Sequence, residues 1–307
     1  MFGERLRWER DGHDWPNRKA SRFVQAGRLR WHVQVLEAEP PRDEAPVLLL
    51  LHGTGASSHS FGDLAPLLAR HFTCVIPDLP GHGFTDLPPL RGLSLPAMAR
   101  GLQALLRQLD LSPTLVAGHS AGAAVLARMC LKDQIAPAAL IALNGALLPY
   151  PGASSPWFAP TVKLAVWNPV VPRVFSARAD ERSVRRLIAG TGSTLKPRGI
   201  DLYGRLARNS VHVAGALGMM AGWDLLSLRR ALPKLEVPLA LLVGSEDRAI
   251  RPYQARQILE QVPGAELILF EGLGHLAHEE DPAGTAEAML RVALKHGLPV
   301  EATVKLT

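Results

Sequence analysis

Apolar positions along this chain change period several times, and the changes mark its elements. From Leu29 to Glu37, the apolar Leu29, Trp31, Val33 and Val35 alternate with Arg30, His32 and Gln34, the period of a half-buried strand. With Arg22–Ala26 before it and Gly27-Arg28 between, this predicts a two-stranded hairpin. After a proline-bounded loop at Pro40–Pro46, unbroken apolar runs replace the alternation: Val47–Leu51, Thr73–Pro77, Thr114–Ala117, Ala138–Leu143, Leu239–Val243 and Glu266–Phe270. Such runs predict strands buried on both faces. Helical stretches separate them, at Ser58–Arg70, Ser94–Leu109, Ala121–Leu131, Tyr253–Val262 and Pro282–Lys295. In Ser94–Leu109 the apolar face is Leu95, Met98, Leu102, Leu105, Leu106 and Leu109. Strand–helix alternation of this kind predicts an α/β fold, a mostly parallel sheet with helices on both faces.

The alternation stops between about Leu147 and Pro233. That stretch carries Pro149, Pro151, Pro156, Pro160, Pro169, Pro172 and Pro197, with short helical patterns between them. It predicts an inserted helical cap over residues 148–233, set into a core made of 1–147 and 234–307, with 1–20 as an N-terminal arm, ordered or a flexible lead-in. Within the cap, Val211–Leu226 is an apolar, glycine-interrupted helix candidate. It is too short to span a bilayer, but suited to lining a pocket or lying on a membrane surface.

Composition sharpens this picture. At 307 residues, 47% hydrophobic and 20% charged, the chain can build a sizeable core and is not a disordered polymer. No apolar run approaches the roughly 18–20 residues of a membrane span. The first ten residues mix both charge signs and lack the apolar stretch of a secretory leader. Cys74 and Cys130 have neither metal-ligand nor disulfide-framework spacing, so buried free thiols and a cytoplasmic protein are expected. The net charge of +6 is unevenly placed: residues 151–230 hold 12 basic and four acidic side chains, the rest 22 and 24. The excess therefore belongs to the predicted cap and points to an anionic partner. No zinc-finger or RNP-like pattern accompanies it, so nucleic acid is not expected. The glycine loops fit no dinucleotide fingerprint, and no metal or cofactor site is expected.

Gly118-His119-Ser120-Ala121-Gly122 fits G-x-S-x-G, with an apolar strand before it and a helix after it. That context predicts a nucleophile elbow, a tight strand-to-helix turn that exposes Ser120 at the carboxyl end of the sheet and at a helix N-terminus. A serine hydroxyl needs a base. His275 is assigned that role, on the glycine-containing loop after the last strand, with His278 as competitor in a surface or capping position. The acid that orients the base is sought in Gly244-Ser-Glu246-Asp247, where Asp247 fits the turn better than Glu246. The strand ending at Asn144 offers no carboxylate. Two backbone N–H groups, from Thr54 and Ala121, are assigned to an oxyanion hole. Gly53 and Gly55 let the backbone approach the substrate, and Gly53 and His119 are placed at the substrate-binding wall. His52 reads as a loop-stabilising hydrogen-bond partner, and Asp78-Leu-Pro-Gly81-His82-Gly83 as scaffold.

Together, His52-Gly-Thr-Gly, Asp78-Leu-Pro-Gly-His-Gly, Gly118-His-Ser-Ala-Gly, Gly244-Ser-Glu-Asp and Gly274-His-Leu-Ala-His resemble the α/β-hydrolase superfamily over residues 20–300. The nucleophilic serine separates the chain from the Asp-nucleophile relatives. A narrower resemblance lies in Trp8-Glu-Arg-Asp-Gly-His-Asp-Trp-Pro-Asn-Arg18, Ser21-Arg-Phe-Val, Leu29-Arg-Trp-His-Val-Gln34 and His52–Phe61. These are similar to the magnesium-chelatase accessory hydrolases of bacteriochlorophyll synthesis (the BchO type). The resemblance implies a place beside magnesium insertion into protoporphyrin, but no proven reaction.

The predicted cap also carries Trp157, Phe158, Trp167, Phe175, Trp223 and Met219-Met220 among its arginines. They either pack the cap's own core or, for Trp157, Phe158 and Trp223, face a substrate. A flat tetrapyrrole with propionates needs apolar walls plus Arg forks, and the cap offers both residue types. The expected function is therefore a serine hydrolase, esterase-like, acting on a hydrophobic and anionic molecule such as a porphyrin. Two alternatives stay open: a non-catalytic porphyrin-binding or chaperone partner of magnesium chelatase, and a carbon–carbon hydrolase or haloperoxidase-like enzyme. Peripheral membrane association is the alternative use of the basic cap.

Overall fold

The computed structural model describes residues 3–39, 45–149, 168 and 170–300. Eight strands form a single sheet: β1 (Ser21–Ala26), β2 (Leu29–Leu36), β3 (Val47–Leu51), β4 (Thr73–Pro77), β5 (Leu115–His119), β6 (Ala139–Leu143), β7 (Leu239–Gly244) and β8 (Glu266–Phe270). Their order is β1-β2-β4-β3-β5-β6-β7-β8. The hairpin β1–β2 and the β2–β4 pair are antiparallel, and every other pair is parallel. This is the expected mostly parallel α/β sheet.

Because successive strand residues point to opposite faces, each run of leucines serves two cores. Leu49, Leu51, Val116 and Leu140 pack on one side with the helices α1 (Leu95–Gln108) and α2 (Ala121–Cys130). Leu48, Leu50, Leu115 and Ile141 pack on the other with α3 (Pro282–Lys295). Cys74 and Cys130 are free and buried, and burial pushes the Cys130 thiol up to about 12.

Register aligns the carboxyl ends of the central strands. Leu51 pairs with Gly118, His119 with Leu143, and Leu143 with Leu242. The loops after β3, β5, β6 and β7 therefore leave the sheet at one edge, where ligand sites of open α/β sheets form.

Two local expectations are revised. The helix expected over Ser58–Arg70 is a 3-10 turn, Ser58–Phe61, and a separate short helix, Ala65–Leu68. Gly62 lies between them, and a Cβ there would stand 2.7 Å from Pro16 Cβ, so the arm packs into the break. Pro66 adds a missing donor. The candidate helix Val211–Leu226 is likewise two: Ser210–Gly222 and Leu225–Ala231, the second capped by Asp224. No single helix among the described residues is long and apolar enough to cross a membrane. A bent pair that passes by length and composition together, Ser210–Gly222 with Leu225–Lys234, turns through 53°.

The arm, ordered or not on sequence grounds, is packed from Gly3 onward. Trp15 is buried against Phe84 and His59, and the Gln34 amide donates to the Pro16 carbonyl at 2.6 Å. Between β6 and β7 the described chain forms α4 (Val170–Ala177), α5 (Glu181–Gly190), α6 (Pro197–Ala207), α7 (Ser210–Gly222) and α8 (Leu225–Ala231). The arm meets this insertion through Arg205 Nη2 to Asp14 Oδ2 at 2.9 Å and Asn209 Nδ2 to the Glu4 carbonyl at 3.0 Å.

Candidate active site

Ser120 joins β5 to α2 with φ 48° and ψ −113°, a left-handed conformation that costs a non-glycine residue of order 1–3 kcal/mol and persists only where its surroundings impose it. Here the surroundings are backbone. The Ser120 N–H donates to the Leu143 carbonyl at 2.9 Å, and its carbonyl accepts from Ala146 N–H at 2.9 Å. Both flanking glycines are sterically required. A Cβ on Gly118 would lie 2.3 Å from Ala123 N, and one on Gly122 would lie 2.3 Å from the Leu51 carbonyl oxygen.

The loops after β7 and β8 bring the predicted acid and base together: His275 Nδ1 lies 2.8 Å from Asp247 Oδ2. The carboxylate is thoroughly held. Oδ1 accepts from the N–H groups of Ala249 and Ile250, both at 2.8 Å, and Oδ2 also accepts from Asn144 Nδ2 at 2.7 Å. Ser120, Asp247 and His275 are all buried, at 6%, 3% and 8% exposure, as a site that excludes water requires. Glu246, the other candidate acid, instead uses its backbone, N–H to the Leu273 carbonyl at 2.9 Å. Sequence reasoning passed over Asn144. It follows β6 in a left-handed conformation (φ 46°), which Asn tolerates better than most residues, and its side chain braces Asp247 in the loop after β7.

The loop after β3 approaches the elbow closely. A Cβ on Gly53 would stand 3.0 Å from Ser120 Cβ and 2.8 Å from His119 Nδ1. Among the described residues, no hydrogen-bond acceptor engages the N–H of Thr54 or of Ala121. Thr54 Oγ1 donates to Met219 Sδ on α7 at 3.4 Å, so the insertion rests on this loop. His52 has the loop-stabilising part expected of it: Nδ1 donates to the Gly53 carbonyl and Nε2 accepts from Leu79 N–H, each at 2.8 Å. Burial lowers its pKa, which keeps that tautomer neutral.

Asp78, in the segment read as scaffold, is a hub. It is fully buried. It accepts from Ser58 N–H at 2.7 Å and Phe84 N–H at 2.9 Å, and Oδ2 lies 2.8 Å from His32 Nδ1 on β2. Its carboxyl is held well below the ordinary range: His32 and the donated hydrogen bonds outweigh a burial penalty that acts the other way. His212 on α7 adds a tie, Nε2 to the Gly55 carbonyl at 3.1 Å and Nδ1 accepting from Gly83 N–H at 3.0 Å.

His119 is buried, with Nε2 3.0 Å from the His275 carbonyl and its ring between those of His275 and His278, at centroid distances of 4.7 and 4.5 Å. His278 is not a surface residue: it is 1% exposed and packs on Phe61 as well. The short helix Ala277–Glu280 turns it inward, and burial pushes its pKa down to about 3. Burial likewise holds His119 well below the ordinary histidine value, so at neutral pH neither ring sets a positive charge beside His275. Trp223 is partly buried against the main core. Trp157, Phe158 and Trp167 lie outside the described residues. Among the described residues no group of three or more His, Cys, Asp or Glu side chains is arranged to hold a metal ion.

A serine in an elbow at the carboxyl edge of a mostly parallel sheet, with a hydrogen-bonded His–Asp pair on the last two strand loops, fits one class of protein. The chain belongs to the alpha/beta hydrolase family, whose family model matches residues 48–288. It is 34% identical over 278 residues to the "Magnesium-chelatase 30 kDa subunit" of Rhodobacter capsulatus, covering 90% of this chain and 95% of that protein. It is 28% identical to the "Pimeloyl-[acyl-carrier protein] methyl ester esterase" of Klebsiella pneumoniae, over 81% of this chain and 94% of the relative. The esterase EaEST from Exiguobacterium antarcticum superposes with a TM-score of 0.70 at 18% identity, covering 88% of this chain and 97% of that one, a likeness of fold. The narrower resemblance read from the N-terminal motifs thus extends over nearly the whole chain.

Proposed function

We propose that this hydrolase-family protein is a serine hydrolase that cleaves an ester or related acyl bond of a hydrophobic, anionic molecule of tetrapyrrole type. The observation that supports the reading is the 2.8 Å His275–Asp247 bond, in a chain whose elbow holds Ser120 at φ 48°. In this scheme Ser120 Oγ attacks the acyl carbon while His275 Nε2 takes its proton. His275 Nδ1–H stays bonded to Asp247, which fixes the tautomer and stabilises the imidazolium. The N–H groups of Thr54 and Ala121 receive the developing oxyanion, a contribution of about 2.7–4 kcal/mol per donor in comparable sites. His275 returns the proton to the leaving alcohol, and water then releases the acid by the same steps.

The substrate class draws on two supports. The relative from Rhodobacter capsulatus is named for magnesium chelatase. The insertion, read as a cap, carries the chain's positive excess beside exposed apolar side chains. Val170, Val174, Phe175 and Leu187 line an open groove of about 680 Å3 with Arg178 and Arg186. That combination suits an amphiphilic anion, whether a porphyrin carboxylate or an anionic bilayer surface.

Labelling with a fluorophosphonate probe tests the catalytic reading: wild type is expected to label and Ser120→Ala not to. Absence of Ser120-dependent labelling sinks it. The relative's description as a subunit favours a second reading, a porphyrin carrier to the chelatase. Porphyrin binding and pigment synthesis that both survive Ser120→Ala would establish that reading over catalysis. Titrations against protoporphyrin and against phosphatidylglycerol vesicles at two salt concentrations separate the two anionic partners, and binding to neither removes the substrate assignment.

A further inference from the structure

The turn between α5 and α6, Thr191-Gly192-Ser193-Thr194, belongs to the insertion but sits against the loops of the candidate acid and base. The Thr191 carbonyl accepts two N–H groups at once, from Arg248 at 3.1 Å and from His275 at 3.3 Å. One residue follows Asp247 and the other is the base itself. The Ser193 hydroxyl, 2% exposed, accepts from Leu276 N–H at 2.8 Å. The Glu280 carboxylate closes the ring, accepting from Thr194 N–H at 2.7 Å and from Gly274 N–H at 2.8 Å.

Backbone packing is equally close. Gly192 has φ +87°, and a Cβ there would lie 2.0 Å from the Glu246 carbonyl oxygen. A Cβ on Gly274 would lie 2.4 Å from the Gly192 carbonyl carbon. Leu276 packs into the small core of the insertion with Val184, Ile188 and Ile200. The Tyr203 hydroxyl on α6 donates to Glu279, three residues after Leu276, at 2.7 Å.

We propose that this turn is a positioning element of the site: through the Thr191 carbonyl and the Ser193 hydroxyl it holds the loops of Asp247 and His275 in one register. The proposal rests on the Ser–His–Asp reading above. It makes the insertion part of the catalytic geometry, so whatever binds and shifts α5 or α6 also shifts the base.

Three variants test it. Ser193→Ala removes the acceptor of the Leu276 N–H. Gly192→Ala drives a methyl against the Glu246 carbonyl. Gly190→Ala, two residues earlier, places a methyl in open space and is the control. Each is assayed well below its unfolding temperature for kcat and KM on a short p-nitrophenyl ester, and by proton NMR for the low-field resonance of the His275–Asp247 hydrogen bond.

Expected are a fall of about 10-fold or more in kcat with KM within about twofold for Ser193→Ala and Gly192→Ala, since small misplacements of a base cost rate rather than binding. Their low-field resonance shifts or broadens, Ser193→Thr restores it, and Gly190→Ala matches wild type. A folded Ser193→Ala with unchanged kcat and unchanged resonance overturns the proposal. If wild type itself neither turns over ester nor labels, catalysis by the triad falls, while the resonance comparison still decides whether the turn positions His275.

Discussion

Asn144 offers the sharpest test of how Asp247 is held. Its side chain donates to Asp247 Oδ2 at 2.7 Å, and its backbone adopts φ 46°. Replacement therefore perturbs two things that can be separated. A hydrogen bond to a charged acceptor contributes about 1.5–3 kcal/mol. Asp247 keeps two backbone donors at 2.8 Å and His275. The loss should therefore lie at the low end, about 1.5–2 kcal/mol, which corresponds to roughly a 10- to 30-fold drop in kcat/KM. The left-handed backbone costs alanine about 1 kcal/mol and glycine almost nothing. Asn144→Gly and Asn144→Ala should then share the activity loss, with the alanine variant about 1 kcal/mol less stable in urea unfolding. Asn144→Asp should lose more than either at neutral pH, because two carboxylates at this separation cannot both stay ionised. Steady-state hydrolysis of a p-nitrophenyl ester and urea titration supply the measurements. If folded Asn144→Gly keeps kcat/KM within about twofold of wild type, the bracing role is refuted.

Burial, with Asp63 and Glu280 nearby, raises the Glu279 carboxyl from its ordinary 4.5 to about 8, while the Tyr203 bond opposes the shift. The folded state then holds a proton that the unfolded chain releases, so stability falls as pH rises from about 4.5 to about 8 and levels off above. Glu279→Gln should flatten that part of the melting-temperature profile, and an unchanged slope would refute the assignment. Asp78→Asn breaks a buried charge out of its hydrogen-bond network and should cost about 3–5 kcal/mol in urea unfolding; a loss below about 1 kcal/mol would contradict the hub role. Because the Asp78 carboxyl is held low, the stability it contributes is present above its unfolded pKa and is lost as pH falls through the acid range. Gly122→Ala, whose methyl would meet the Leu51 carbonyl oxygen at 2.3 Å, should destabilise by about 1–3 kcal/mol, read from the same unfolding curves.

The positions of the strands were legible in the chain. Leu48–Leu51 and Leu115–Ala117 are apolar on both faces because helices cover both, and that local burial pattern is written in consecutive residues. The elbow was legible from its motif: the turn itself admits no Cβ at Gly118, while Gly122 stands against the Leu51 carbonyl of the neighbouring strand. Asp247 and His275, which a hydrogen bond joins, each follow a readable strand, so their chain order and loop positions make them the candidates. The failures share one cause. Asn144 reaches Asp247 across 103 positions, and Ser193 reaches Leu276 across 83. Such contacts leave no periodicity, because a polar residue that satisfies a distant partner looks locally like any loop residue. His278 was misplaced on the same ground: only packing on Phe61 and His119, brought in by other loops, makes it interior. Strand order and register, set by long-range pairing, bring the loops to one edge. Which polar side chain there donates to Asp247, and which turn of the insertion accepts the His275 N–H, depends on long-range packing that no local pattern records.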